Sequence, residues 1–360
     1  MDGHMTSANA SPSRVAVVLM NLGGPDQEAS IRPFLKNFFM DRNIIDAPWP
    51  VRFLVSRLIA WRRGKGEALE AYSALGGKSP LLENTELQRT ALERTLSQNF
   101  DGDVRCFVSM RYWHPMSDTV ARQVADYQPD KVILLPLYPQ FSTTTSFSSL
   151  QDWHPTVEKL GLALPTASLA CHPFLDGFID ASADLIRHTW SRVPQGQNVR
   201  LLFSAHGLPE KVIEKGDPYQ WQCEQSAARI AAAAGLTDDQ WQICYQSRVG
   251  PLKWIGPSTE EALDQAAADG VGVLVYPHAF VSEHVETLVE IEDEYREYAA
   301  EKGITYFQRV PTVMTHPKFI TGLRDLILAH VNKTGVIGDA GCPVEFSKCC
   351  QRLAKTGELK

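Results

Sequence analysis

Residues Leu202–Pro209 read LFSAHGLP. A short apolar run ends in His206, and a Gly-Leu-Pro turn follows at once. An apolar run of this length, closed by turn residues, reads as a buried strand. That places His206 at the strand's carboxyl end. A histidine in such a place is as often a satisfied structural residue as a reactive one, so the surrounding pattern has to decide.

The pattern recurs along the chain. Strands are predicted at Val15–Asn21, Val104–Met110, Lys131–Leu137, Val199–Ser204, Gln242–Tyr245 and Val271–Tyr276, with a further one at Ile304–Gln308. Helical periodicity covers Thr85–Gln98, Asp176–Arg192, Tyr219–Ala234, Thr259–Asp269 and His284–Lys302. Strands alternating with helices build parallel sheets. The series runs through twice, with a pause at Val193–Gln197 (VPQGQ). The predicted fold is α/β: two similar Rossmann-like lobes, each a parallel sheet flanked by helices, with a cleft between them. The expected division is a disordered leader at 1–13, a first lobe at 14–192 and a second at 193–314. A helix at 315–335 is expected to pack back on the first lobe, followed by a cysteine-bearing extension at 336–360.

At 360 residues, 44% hydrophobic and 21% charged, the composition is that of a soluble globular protein. A net charge of −7 offers no basic footprint for nucleic acid. The first residues, MDGHMTSANASPSR, hold no apolar stretch of signal-peptide type. Seven cysteines, an odd number, point to reduced thiols in the cytoplasm. LGGKS at Leu75–Ser79 lacks the first glycine of a phosphate loop and no strand precedes it; GVGVLV at Gly270–Val275 buries its glycines within a strand. Nucleotide chemistry is therefore not expected.

Polar punctuation falls after the predicted strands: NLGGP after the first, RYWHP after the second, YPQFSTTTSFSS after the third. SAHG, YQSRVG and PHAF do the same in the second half. In open α/β sheets this rim is where ligands bind. SEHVETLVEIEDEY, beginning at Ser282, then sets Glu283, Glu286, Glu290 and Glu294 within an arc of about 80° on an α-helix. Such a column repels itself and is ordinarily a solvated face. Here it starts beside the rim, opposite His206. A histidine facing a ladder of carboxylates can hold a divalent cation or conduct protons.

These stretches, in this order, with LFSAHGLPEKVIEKGDPY and YQSRVGPLKWIGPST among them, resemble ferrochelatase from about Val15 to Leu328. The resemblance implies insertion of Fe²⁺ into protoporphyrin IX with release of two protons, and no organic cofactor. It gives His206 and Glu286 the catalytic and substrate-metal positions, and Glu283, His284, Glu290 and Glu294 the proton or metal path. His284 also reads as a neighbour that orients rather than ligates. Leu22, Arg111, Tyr112, Ser142, Thr143, Tyr245 and Trp254 become expected porphyrin neighbours. Ile31–Trp61, rich in Phe, Trp and Leu, becomes a hydrophobic lip that touches the membrane surface. The implied partners are protoporphyrin IX, Fe²⁺, the inner membrane and the preceding enzyme of the haem pathway; monomer and homodimer both stay open. Two other readings share the motifs: a chelatase acting on coproporphyrin or sirohydrochlorin, and a non-catalytic tetrapyrrole carrier. A carrier needs a pocket but not a base opposed by carboxylates.

Cys342, Cys349 and Cys350, three of the seven cysteines, lie within nine positions. Thiolates so spaced suit a metal or a cluster, and the resemblance implies a [2Fe–2S] cluster. Glu345 stands where a Cys-x-x-Cys pair would have its second sulfur, so a fourth ligand must come from elsewhere, and Cys171 is the candidate. A reduced tail with no cluster is the other reading.

Overall fold

The computed structural model describes residues 12–162, 164–248, 250, 252–338 and 341–360. All but the last two residues of the expected leader lie outside the described residues. Among the described residues the strands are β1 (Arg14–Asn21), β2 (Asp103–Met110), β3 (Lys131–Pro136), β4 (Thr166–Cys171), β5 (Val199–His206), β6 (Trp241–Gln246), β7 (Gly272–Pro277), β8 (Phe307–Arg309) and β9 (Gly335–Gly338). They form two sheets, ordered β2-β1-β3-β4-β9 and β6-β5-β7-β8, and every pairing is parallel. The two-lobed α/β expectation holds, and the first four strands of each lobe repeat one order.

That order has a functional consequence. In each lobe the chain steps from its first strand to a neighbour on one side, then crosses to the other. The crevice at such a switch point opens at the carboxyl ends of β1 and β3, and of β5 and β7. Val15–Met20 and Leu201–Ala205 are buried on both faces because helices cover both sides, which is why they read as continuous apolar runs.

The lobes are not independent globules. Val17 and Leu19 of β1 share one apolar core with Leu201 and Phe203 of β5. Phe178 and Ile186 on helix Asp176–Trp190, Ile230 on helix Tyr219–Ala234, and Phe319 and Leu323 on helix Pro317–His330 join them. Helix Pro317–His330 packs on Asp176–Trp190 and on Leu81–Ser97, both of which precede β5 in the chain. It then delivers β9 to the edge of the first sheet beside β4.

Two strands escaped the sequence pattern. β4 reads TASLAC, and its small side chains carry little β-branched signal. β9 is four residues long and begins and ends in glycine. The predicted acidic helix also differs in kind. It is a π-helix over Glu286–Glu294 that continues as an α-helix over Tyr295–Glu301. π-Helical turns are rare and cluster at functional sites.

Gly177 and Gly322 meet where two of the core helices cross. A Cβ on Gly177 would overlap the Lys318 carbonyl and lie 2.8 Å from the Gly322 Cα; one on Gly322 would lie 2.9 Å from the Gly177 Cα. Alanine favours a helix over glycine by about 0.5–1 kcal/mol, yet the crossing forbids it. Gly177→Ala is expected to lower stability by about 1–3 kcal/mol in thermal or urea unfolding; a stabilised variant would show that the helices do not cross this closely.

Candidate active site

His206 is the last residue of β5, in register with Gln246 of β6. Its Nδ1 lies 2.6 Å from the Gly207 carbonyl oxygen, which can only accept, so the proton sits on Nδ1. Nε2 is left with its lone pair, 3.9 Å from Glu286 Oε1. The Tyr219 hydroxyl donates to the His206 carbonyl at 3.0 Å and fixes the strand end.

Glu286 opens the π-helix after β7. Its other oxygen, Oε2, lies 3.6 Å from His284 Nε2. His284 is buried and stacked near Phe280, and its Nδ1 faces the Ser282 carbonyl at 3.1 Å. One carboxylate thus lies between two imidazoles, each presenting Nε2. Burial works against charge on Glu286, but the positive charge that His206 and His284 take on when protonated, with that of Arg63, outweighs it and lowers the carboxyl to about 2. Helix Leu81–Ser97 of the first lobe secures this segment. Asn84 donates to the Glu283 carbonyl at 2.7 Å, and Gln88 to the Val281 carbonyl at 2.9 Å and the Met314 carbonyl at 3.0 Å. Gln88 also accepts from the Ser282 hydroxyl at 2.8 Å.

Glu290 follows one π-turn further on. It accepts from the Gln246 amide (3.0 Å), the Ser247 backbone N–H (2.8 Å), the Ser247 hydroxyl (2.7 Å) and the Tyr295 hydroxyl (3.1 Å). Ser247 reaches it from the left-handed region, φ 61°, a costly conformation for a non-glycine residue that functional sites tolerate. Burial and the charge of Glu286 raise the Glu290 carboxyl, although the serine and glutamine bonds oppose this. Glu294 is exposed at the outer end, and burial of part of its side chain with nearby Glu67 raises it too.

Glu283 does not join the column. Arg309 Nη1 binds both its oxygens at 2.9 and 3.0 Å, and the Thr287 hydroxyl and Thr312 N–H donate to it at 2.6 and 2.9 Å. The residue precedes the helix, so the periodicity that placed it there does not apply.

The expected wall residues divide. Leu22 sits on the first lobe's rim, packed against the apolar cluster of Phe34, Leu35, Tyr72 and Tyr112 that Val285, the residue before Glu286, also joins. Trp254 covers the turn after His206: it bridges Pro209, and its ring lies 3.3 Å from the Cβ position of Gly207. Tyr245 is fully buried in the core beneath β5, its hydroxyl without a partner. Four others have their polar groups paired within the protein, and Arg111 with Asp41 and Asp152 lines a cavity. The Tyr112 hydroxyl donates to Asp41 at 2.7 Å, and Arg111 pairs with Asp41 at 3.1 Å and Asp152 at 3.4 Å. Ser142 and Thr143 donate to buried Asp217 at 3.1 and 2.6 Å, tying the loop after β3 to the second lobe. These residues follow the strand ends where the sequence pattern put them, and their partners, far away in sequence, are visible only in the fold.

Two site residues were missed. Arg63 ends helix Trp49–Arg63, its Nε buried and 3.6 Å from Glu67 Oε2, an ion pair too long for a hydrogen bond. Tyr72, from helix Glu67–Ala74, is buried among Phe34, Leu35 and Tyr112. Both feel the charge of Glu286. The Arg62-Arg63-Gly64-Lys65 run at the end of the apolar lip was the only signal.

The C-terminal cysteines gather with the expected fourth. Cys171, at the end of β4, lies 3.6 Å sulfur to sulfur from Cys350. Cys349 is drawn down in pKa by hydrogen bonds from Cys342 and Cys350. A Cβ on Gly338 would overlap the Cys350 sulfur and lie 3.0 Å from that of Cys171, so only glycine leaves room here. Among the described residues, no three His, Cys, Asp or Glu side chains stand ready-made around a metal position; the imidazole and carboxylate groups, like the thiols, touch one another.

Residues 14–331 match the ferrochelatase family. The ferrochelatase of Caulobacter vibrioides is 49% identical over 341 residues, covering 93% of this chain and 97% of its own. That of Hyphomonas neptunium is 47% identical over 351 residues, covering 95% and 96%, and that of Rickettsia bellii 41% over 348 residues, covering 95% and 96%. The solved structure of SirB from Bacillus subtilis with Fe³⁺ superposes with a TM-score of 0.50 at 10% identity, over 89% of this chain and 96% of that one, a likeness of fold. A family match running through both lobes, and relatives this similar over nearly their whole length, establish that the chain belongs to the ferrochelatase family.

Proposed function

We propose that His206 and Glu286 carry the insertion of Fe²⁺ into a porphyrin, the reaction in haem biosynthesis to which its family assigns this chain. The observation behind the assignment of residues is the single carboxylate held ionised between two imidazole Nε2 atoms at the second lobe's switch point. Fe²⁺ replaces two pyrrole N–H protons, so the site must take up protons where the metal enters. His206 Nε2 accepts one. Glu286, already charged, stabilises the imidazolium so formed. Glu290, whose carboxyl is raised, holds a proton more readily than Glu286 and passes it towards exposed Glu294. His284 orients Glu286. Leu22 and Trp254 border the porphyrin, and Arg63, paired loosely with exposed Glu67 at 3.6 Å, offers a cation to a carboxylate of the dianionic ring. A carrier would need none of this acid–base chain. Protoporphyrin IX as the particular porphyrin rests on the cysteine-bearing extension that resembles those of protohaem-forming relatives.

A second reading concerns location. Helix Trp49–Arg63 exposes Leu54 (66%), Leu58 (63%) and Trp61 (54%) along one side, with Arg57 and Arg62 nearby. An apolar stripe edged with cations suits the surface of an anionic bilayer. Among the described residues, no helix is long and apolar enough to cross a membrane. The lip therefore rests on the cytoplasmic face of the inner membrane, where a poorly soluble porphyrin is delivered.

A third concerns the thiols. Cys171, Cys342, Cys349 and Cys350 supply the four sulfurs that a [2Fe–2S] cluster takes, and the glycine beside two of them leaves the space. The cluster would lie at the edge of the first sheet, serving structure or redox sensing and standing outside the proton chemistry.

His206→Ala and Glu286→Gln are each expected to slow anaerobic metallation of protoporphyrin by about 10²–10⁴-fold, with porphyrin binding and unfolding unchanged; full activity in either variant rejects the assignment. Leu54→Glu with Leu58→Glu is expected to abolish co-sedimentation with vesicles containing anionic lipid while sparing turnover of detergent-dispersed substrate. Equal sedimentation of wild type and variant rejects the lip reading. Protein purified without oxygen is expected to hold two irons and two sulfides per chain, with visible charge-transfer bands that disappear when Cys350 is changed to Ser.

A further inference from the structure

Gln222 stands near the start of helix Tyr219–Ala234 and is fully buried. Its Oε1 accepts the Phe141 backbone N–H at 2.7 Å, which settles which way the carboxamide faces. Nε2 must then point the other way, and it donates to Cys342 Sγ at 3.2 Å. Trp221 beside it packs on Phe346, their ring centroids 5.8 Å apart, and Arg352 binds the carbonyls of Phe346 and Cys342 at 2.7 and 3.2 Å. The sulfur and the amide are thus held in one place by groups on both sides. A buried N–H aimed at a sulfur favours the anionic form of that sulfur.

We infer that Gln222 is a tuning residue for the thiolate of Cys342: its clamped carboxamide donates to that sulfur and raises the reduction potential of the iron–sulfur group the sulfur ligates. The inference rests on the cluster reading above. Reduction adds negative charge to the cluster and its ligands, so a donor at the sulfur stabilises the reduced form more than the oxidised one. Gln222 also ties the sulfur to the loop after β3, through Phe141. Three residues earlier on the same helix, Tyr219 holds the carbonyl of His206. The first turn of one helix therefore touches both the sulfur site and the strand end that carries the base.

The test is a dithionite titration of the anaerobic holoenzyme, followed by the visible bands and by EPR, in wild type, Gln222→Glu and Gln222→Met. Glutamate keeps the acceptor for Phe141 but loses the donor; methionine keeps volume and loses both. Both variants are expected to titrate at more negative potential than wild type. Equal midpoints in cluster-loaded protein reduce Gln222 to a packing residue. Wild type lacking sulfide and iron, or holding zinc instead, fails earlier and overturns the cluster reading itself. Should a variant shed its cluster, wild type labelled with ¹⁵N in glutamine side chains decides. Coupling of the reduced cluster to such a nitrogen in pulsed EPR sustains the bond, and its absence removes it.

Discussion

The two sheets of this protein share one apolar core, and the geometry of the site depends on that. Phe178 and Ile186, Ile230, and Phe319 and Leu323 lie on three helices that belong to different parts of the chain, yet they fill a single interior between β1 and β5. Interiors packed at crystal density transmit displacement instead of absorbing it. A shared core therefore fixes one sheet's rim relative to the other. The close crossing at Gly177 and Gly322 sets how near two of these helices come.

With the rims fixed, the second lobe's switch point receives support from the first. Asn84 and Gln88 hold the segment between β7 and the π-helix. That segment aims Glu286 at His206, which Tyr219 and Gly207 secure from the other side. The carboxylate keeps its charge because two histidines that take on positive charge when protonated lie against it, despite a burial that would otherwise neutralise it. One helical turn away the balance reverses, and Glu290 gains proton affinity from burial and from Glu286 itself. Two glutamates of one helix thus hold protons differently, and the difference slopes outward.

The extension is built into the first lobe. β9 completes the sheet edge, Cys350 meets Cys171, and the Lys348 N–H donates to the Gly216 carbonyl at 3.0 Å, just before Asp217 clamps Ser142 and Thr143. The sulfur site therefore touches both lobes, although it lies apart from the proton relay.

Much of this was legible in the sequence. Buried parallel strands show as continuous apolar runs and their carboxyl ends as polar punctuation, so the α/β class, the repeat of lobes and the rim position of His206 follow from local pattern. The i, i+4 spacing put Glu286, Glu290 and Glu294 on one side, and the wider π-turn preserves that grouping. Spacing also marked the three late cysteines. What local pattern does not carry is the direction in which a side chain finds its partner. Glu283 turned to Arg309, Tyr112 to Asp41, and Thr143 to Asp217, each across a gap in sequence that only folding closes. β4 needed neighbours to become a strand, and Arg63 needed Tyr72 and Glu286 to become part of a site. Periodicity is a property of one element; hydrogen-bond partners and charge neighbours are properties of the packing between elements, and the tertiary structure alone decides them.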